Sequence, residues 1–342
     1  MSKAVDKTAT GRLPWFGPDR FPLYLAPMAG FTDRVFRELC KEQGADVMVT
    51  EFVMANKFLD PRGEKDAWEI VDFTPRQRPM GVQIFGSDPQ KMAEAASRIA
   101  DRLQPDFIDI NYGCPAPKVV DNLAGSSLLR DPCRLQEVAE TIVRRVTDRL
   151  PVTAKIRIGW DDTSVNAVEV SRRLEDSGIE AIAVHGRTKE QGYRGDADWD
   201  VIHAVADAVT LPVVGNGSVR TADDVNRIKS AGKVRGLMIG RAALGNPWIF
   251  REIKHAVVTG EALPAPTLEE RWDTMVRYCQ ELMDHKQKGT WNQINWMRPR
   301  LKAFAKGWPG SKDLRRALET VKTVEELEAL RTANLSREAT GA

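Results

Sequence analysis

What this chain of 342 residues has little of narrows it first. It carries four cysteines, Cys40, Cys114, Cys133 and Cys279, and no two of them are spaced as C-x-x-C. That excludes the usual zinc knuckle and the dithiol redox motif, and no metal is expected. So sparse a set of thiols fits a reducing, cytoplasmic setting better than a disulfide scaffold. No run approaches ~18 consecutive apolar residues, so no membrane span is expected. Lys3, Asp6 and Lys7 are followed by no apolar stretch, which argues against a signal peptide. Charge of one sign is also lacking: 50 Lys and Arg stand against 48 Asp and Glu, a formal net of +2. The total therefore points to no particular partner, and any basic surface has to be local.

What is present is an alternation. Residues 1–20 read as a flexible lead-in with mixed charge. Short apolar runs then follow: Leu23–Ala26, Val47–Thr50, Met80–Ile84, Phe107–Ile110, Val152–Ile158, Ala181–Val184, Val213–Gly215 and Leu237–Ile239. Between them lie helix-like patterns such as Pro89–Leu103, Arg134–Arg149 and Asn166–Ser177. Eight such runs alternating with helices predict an α/β fold, a (β/α)8 TIM barrel over residues 21–258. Nearly every run ends in a chemically distinctive cluster, as barrel enzymes require, whereas an open doubly wound sheet gathers its polar motifs near one switch point. Pro264 and Pro266 mark a linker, and residues 260–342 read as a C-terminal helical domain. A monomer is the favoured state.

The clusters carry the chemistry. Gly215-Asn216-Gly217 and Gly240-Arg241 leave bare amides after the last two runs, where barrels often hold a phosphate; tight turns alone explain the glycines equally well. Lys155 and Arg157 alternate, so they share one face of a strand, where charge is costly unless paired or functional. Gln83 and His185 stand at strand ends, the first suited to a planar heterocycle, each also readable as a satisfied structural residue. Cys114 lies between Gly113 and Pro115, which places it on a turn. A thiol there acts as a general acid and a thiolate as a nucleophile; the residues alone do not choose. From Lys286 to Arg316 the basic residues Lys286, Lys288, Arg298, Arg300, Lys302, Lys306, Lys312, Arg315 and Arg316 meet one acid, Asp313, and interleave with Trp291, Trp296, Phe304 and Trp308. That mixture suits phosphates and bases, although a basic amphipathic helix over a Trp-rich core has the same composition.

These clusters, in this order, resemble the tRNA-dihydrouridine synthases, with the bacterial B-type branch nearest. The strings that carry the resemblance are Ala26-Pro27-Met28-Ala29-Gly30-Phe31-Thr32-Asp33, Asn111-Tyr112-Gly113-Cys114-Pro115, and His185-Gly186-Arg187-Thr188 followed by Tyr193 and Gly195. The resemblance implies bound FMN, NADPH as hydride donor and tRNA as partner. It implies that Pro27, Met28 and Ala29 line the flavin, that Gln83, Lys155 and His185 contact its ring system, and that Asn216, Gly217, Ser218, Gly240 and Arg241 hold its phosphate. Cys114 matches the catalytic cysteine, which protonates C5 of a flipped uridine while hydride reaches C6. Asn111 and Arg157 are candidates for the base, and Arg298, Lys302 and Lys306 for the tRNA. One departure stands out: Ser218 occupies a position that is commonly acidic in the family. Two other readings stay open, an FMN barrel oxidoreductase acting on a free pyrimidine and a catalytically idle RNA-binding protein.

Overall fold

Strands buried on both faces need apolar residues at every position, and the continuous runs of this chain fold accordingly. The computed structural model describes residues 12–286, 290–308 and 310–340. Its strands are β1 Leu23–Leu25, β2 Val47–Val49, β3 Val53–Met54, β4 Met80–Phe85, β5 Phe107–Tyr112, β6 Val152–Arg157, β7 Ala181–His185, β8 Val213–Asn216 and β9 Gly236–Ile239. All pair in parallel, and β2 pairs with β4 as well as β1, so eight strands close into a (β/α)8 barrel. The two-residue β3 lies outside the ring, paired with the end of β4 through Val53 and Ile84. All eight apolar runs are barrel strands.

The helices between the strands begin where short acceptors satisfy their first amides. Asp88 accepts from the N–H groups of Gln90 and Lys91 ahead of the helix Pro89–Leu103. Asp131 does the same for Arg134 ahead of Pro132–Val146, and in both helices proline fills the first position, where no donor is needed.

The expected loose lead-in does not hold for residues 13–16. Pro14–Phe16 form a 3-10 turn, and Leu13, Trp15 and Phe16 are buried against Tyr24, Phe107, Ala181 and Val214 inside the barrel. The Trp15 ring lies 5.5 Å from that of Phe107, and its indole N–H donates to the Tyr24 hydroxyl. Residues 1–11 lie outside the described residues.

The C-terminal helices Leu268–Lys286, Thr290–Phe304, Ser311–Thr320 and Val324–Thr340 follow the linker. They share one hydrophobic core with the barrel, in which Phe36 meets Phe304 edge-on. Contact is close enough that a Cβ on Gly245 would lie 2.3 Å from the Ala303 carbonyl oxygen, so only glycine fits there. The polar centre of this junction is Asp33, in the loop after β1. Its Oδ1 caps the helix Arg34–Glu42 by accepting from Phe36 N–H, and its Oδ2 accepts from the Tyr278 hydroxyl at 2.7 Å. The Arg300 guanidinium lies 3.1 Å away, with both partners buried.

Removing one partner of a buried ion pair strands the other, at a cost of about 3–5 kcal/mol. Arg300→Ala is therefore expected to lower unfolding stability by about that amount. Tyr278→Phe, which removes one hydrogen bond to a charged group, should cost about 2 kcal/mol. Urea unfolding at neutral pH checks both.

Candidate active site

The strand C-termini open into a cavity of about 1250 Å³. Every barrel strand except β4 reaches it, directly or through the loop that follows, and the helical region closes one side with Arg271, Ala303, Lys306 and Gly307. Its cationic side chains are Lys155, Arg157, Arg187, Arg220, Arg241, Arg271 and Lys306, and none of the lining residues is a carboxylate. The neutral whole thus conceals a strongly positive cavity.

Cys114 stands on one wall. The Asn111 side-chain oxygen, Oδ1, accepts from the N–H groups of Gly113 at 3.0 Å and Cys114 at 2.8 Å, which forms the turn expected of Gly-Cys-Pro. The Ser126 hydroxyl holds the Cys114 carbonyl at 2.8 Å. Cys114 is 7% exposed. Burial pushes its thiol above the ordinary value, opposed by the Ala116 N–H and by Arg157 and Lys155. At neutral pH it is a thiol, a group with a proton to give.

Lys155 and Arg157 both face the cavity, as their alternation predicts. Burial, then Arg157, brings the Lys155 ammonium down to about 8. Arg157 is committed to the backbone: Nε donates to Gly113 O at 2.9 Å, and Nη1 to Thr188 O and Gly192 O at 2.8 and 2.9 Å. It ties the Cys114 turn to the loop after β7, so its expected contact with a base is at most a second duty. His185 is held neutral, first by burial and then by Lys155, Arg157, Arg187 and Arg241. Arg187 Nη1 donates to His185 Nε2 at 3.2 Å. A guanidinium only donates, so the imidazole proton resides on Nδ1.

The glycine clusters form a cradle. Gly217 has φ +120°, and a Cβ there would sit 2.7 Å from that of Ala197, so the backbone conformation and the space both demand glycine. Asn216 Nδ2 donates to Met238 O at 2.7 Å and joins the ends of β8 and β9. Ser218 Oγ accepts from Arg187 Nη2 at 3.0 Å and from Ala197 N–H, and lies 3.2 Å from the Asp196 carboxylate. Asp196 itself is not among the residues that line the cavity. Tyr193, half exposed, lies under two guanidiniums, with Arg241 at 4.4 Å and Arg157 at 5.5 Å from its ring centre.

The other expected residues sort as follows. Pro27, Met28, Ala29, Asn111, Gly240 and Lys306 line the cavity. Gln83 does not: it is fully buried, with its amide spent on Asp109 and Asn111. Arg298 and Lys302 turn to their own domain, Arg298 donating to Val321 O at 3.0 Å and Lys302 pairing with Glu319 at 2.9 Å. The side chains of Lys286, Trp291 and Trp296, and all of Lys288, lie outside the described residues. Arg220 and Arg271 carried no signal in the sequence beyond their charge. Arg187 lay inside a motif without a role assigned to it. Among the described residues no cluster of His, Cys, Asp and Glu is placed to hold a metal, and no helix is long and apolar enough to cross a membrane.

A closed parallel barrel whose strand C-termini open into one cavity, with a thiol and two glycine turns in its lining, defines the class: a TIM-barrel enzyme. The family described as "Dihydrouridine synthase (Dus)" matches residues 24–340, and the chain belongs to that family of oxidoreductases. It is 44% identical over 269 residues to tRNA-dihydrouridine synthase B of Pseudomonas aeruginosa, covering 79% of each chain. It is 39% identical over 308 residues to the protein of that name from Xanthomonas campestris, covering 90% of each. Among solved structures, histamine dehydrogenase from a Rhizobium species superposes with a TM-score of 0.53 at 16% identity, over 68% of this chain and 45% of that one. A 2-naphthoyl-CoA reductase gives 0.54 at 12%, over 68% and 50%. The chain spans about half the length of these two, and the likeness concerns the barrel fold.

A raised thiol value predicts slow alkylation. Iodoacetamide should modify Cys114 more slowly than a free cysteine at neutral pH and catch up only as the solution becomes alkaline. Peptide mapping over a pH series separates it from the exposed Cys133.

Proposed function

We propose that this chain reduces the C5–C6 double bond of uridines in tRNA, with FMN as its flavin, NADPH as the reductant and Cys114 as the proton donor. One observation carries the reading: a neutral buried thiol and an anion cradle share one cavity whose charged lining is entirely cationic. Family membership and the curated relatives named above support the tRNA substrate.

The residues present fit FMN. Bare amides at Gly217 and Gly240, with Arg241 beside them, suit its phosphate. Pro27, Met28 and Ala29 offer an apolar wall, and the Nδ1–H of His185 is a donor for a heterocycle. Lys155 provides positive charge without a carboxylate beside it on the cavity wall. FMN, when bound, supplies the hydride, which NADPH replenishes.

The rest is done by the chain. A uridine cannot present its C5–C6 edge while stacked, so it must leave the helix and enter the cavity, at a cost of a few kcal/mol. The exposed ring of Tyr193 offers it a stacking surface. Arg271 and Lys306, on the helical side of the cavity, suit the phosphodiester backbone of an entering strand. As hydride reaches C6, negative charge grows on the C5 side and its carbonyl. Lys155 offsets it, and Cys114 Sγ gives its proton to C5. The thiolate left behind recovers a proton from solvent.

The free-pyrimidine alternative needs neither Arg271 nor Lys306, and their placement favours the RNA reading. Cys114→Ala should keep its flavin absorbance and its affinity for tRNA while losing most uridine reduction, measured as dihydrouridine formed per enzyme. Arg271→Ala and Lys306→Ala should each weaken tRNA binding and reduce the slope of log K against log salt by about 0.7–0.9, as loss of one phosphate contact requires. A third test uses pH. Lys155 is charged below its value of about 8 and neutral above it, so FMN affinity should fall as pH rises through that value. Isothermal titration with FMN should show the fall in the native chain and not in Lys155→Arg.

A further inference from the structure

From Asn111 on the cavity wall a line of buried polar side chains runs into the barrel, and the reaction above does not use it. Thr153 Oγ1 donates to Asp109 Oδ1, and Gln83 Nε2 donates to Asp109 Oδ2 at 2.5 Å. Asn111 Nδ2 donates to Gln83 Oε1 at 2.8 Å. Asn111 Oδ1 then accepts the two amides of the Cys114 turn. All four side chains are buried, on the adjacent strands β4, β5 and β6.

We propose that Asp109 and Gln83 are positioning residues, which set the direction of the Asn111 amide and through it hold the turn that carries Cys114. The inference rests on the proton-donor role proposed for Cys114. The direction follows from the two ends of the line. At one end, backbone N–H groups only donate, so Asn111 must show them oxygen. At the other, a carboxylate only accepts, so Gln83 must show it nitrogen. Each amide has one oxygen side and one nitrogen side, and the two constraints agree through both of them. Were the acid an amide, Gln83 could turn over and offer nitrogen to Asn111. Asn111 would then be drawn to turn as well, setting its own NH2 against two backbone donors. The carboxylate also supports the ammonium charge of Lys155, so its burial there has an electrostatic as well as a positional reason.

This also accounts for the full burial of Gln83, which the sequence suggested as a contact to the flavin ring. With Gln83 on the flavin, a change at position 83 alters the bound cofactor directly. With Gln83 in the buried line, it alters Cys114.

The test uses the full chain loaded with FMN. Asp109→Asn should slow uridine reduction roughly 10–100-fold, the scale of a slightly misplaced reacting group, while the rate of flavin reduction by NADPH stays within about twofold. It should also change the rate of Cys114 alkylation several-fold, a readout independent of turnover. Adding Cys114→Ala to Asp109→Asn should bring no loss beyond that of Cys114→Ala alone; multiplied losses would overturn the proposal. The decisive variant exchanges the two groups. Asp109→Asn with Gln83→Glu keeps one carboxylate and one amide. The carboxylate, moved to position 83, can accept both from the new amide at position 109 and from Asn111. The exchange should recover the alkylation rate and most of the lost turnover. Unchanged alkylation in Asp109→Asn, or no recovery in the exchange, refutes the positioning role. A shift of the flavin spectrum with alkylation unchanged restores Gln83 to the cofactor. Should Asp109→Asn fail to fold, Gln83→Met breaks the line at its middle and takes the same measurements. If Cys114→Ala alone keeps full uridine reduction, the proton-donor reading fails, and the alkylation comparison still decides whether Asp109 governs the turn.

Discussion

The whole arrangement hangs on one buried carboxylate. Asp33 ends the loop that lines the cavity after β1, starts the helix that follows, and receives Tyr278 and Arg300 from the C-terminal helices. Those helices bring Arg271 and Lys306 to the cavity. Apolar packing between the two regions is non-directional and does not by itself fix an orientation closely. A hydrogen-bonded charge does, because its partners must arrive at set distances and angles. Asp33 acts at the buried centre of the junction, with Arg277–Glu42 and Arg34–His285 adding polar contacts nearer the surface. The mouth is therefore a composite whose two sides meet around one buried charge.

Charge is sorted rather than abundant. The near balance of acids and bases in the totals is possible because many acids are paired on outer surfaces, as in Arg149–Asp101, Arg145–Glu94 and Arg277–Glu42. The lining of the cavity keeps only cations. Crowding them lowers Lys155 and keeps His185 neutral, with burial the larger cause for each. It also makes an anionic occupant the natural counterpart of the site, since the cations have little else inside the cavity to offset them.

How much of this was legible in the sequence follows from which forces act locally. The eight strands were legible because double-sided burial writes itself as unbroken apolar runs. The cradle and the Cys114 turn were legible because glycine and proline mark backbone shape directly. Gln83 was not, since a residue's place on a strand does not say where its amide points. In the basic tail, Arg298 and Lys302 lie away from the cavity. Their partners, the Val321 carbonyl and Glu319, lie beyond the basic stretch Lys286–Arg316, and only folding brings them together. Arg271 stood in a plain amphipathic helix until docking put it at the cavity. Trp15 and Phe16 were hidden by neighbouring prolines and charges that looked like a tail.

That last pair has a kinetic consequence. With Leu13, Trp15 and Phe16 packed into the barrel at the end away from the strand C-termini, the cavity has a floor and is entered from above. A tunnel would let a reductant approach from below while a macromolecule sat on the mouth. A cup does not. In the proposed reaction, reductant and RNA would both come by the mouth at the strand C-termini, and each would stand in the other's way.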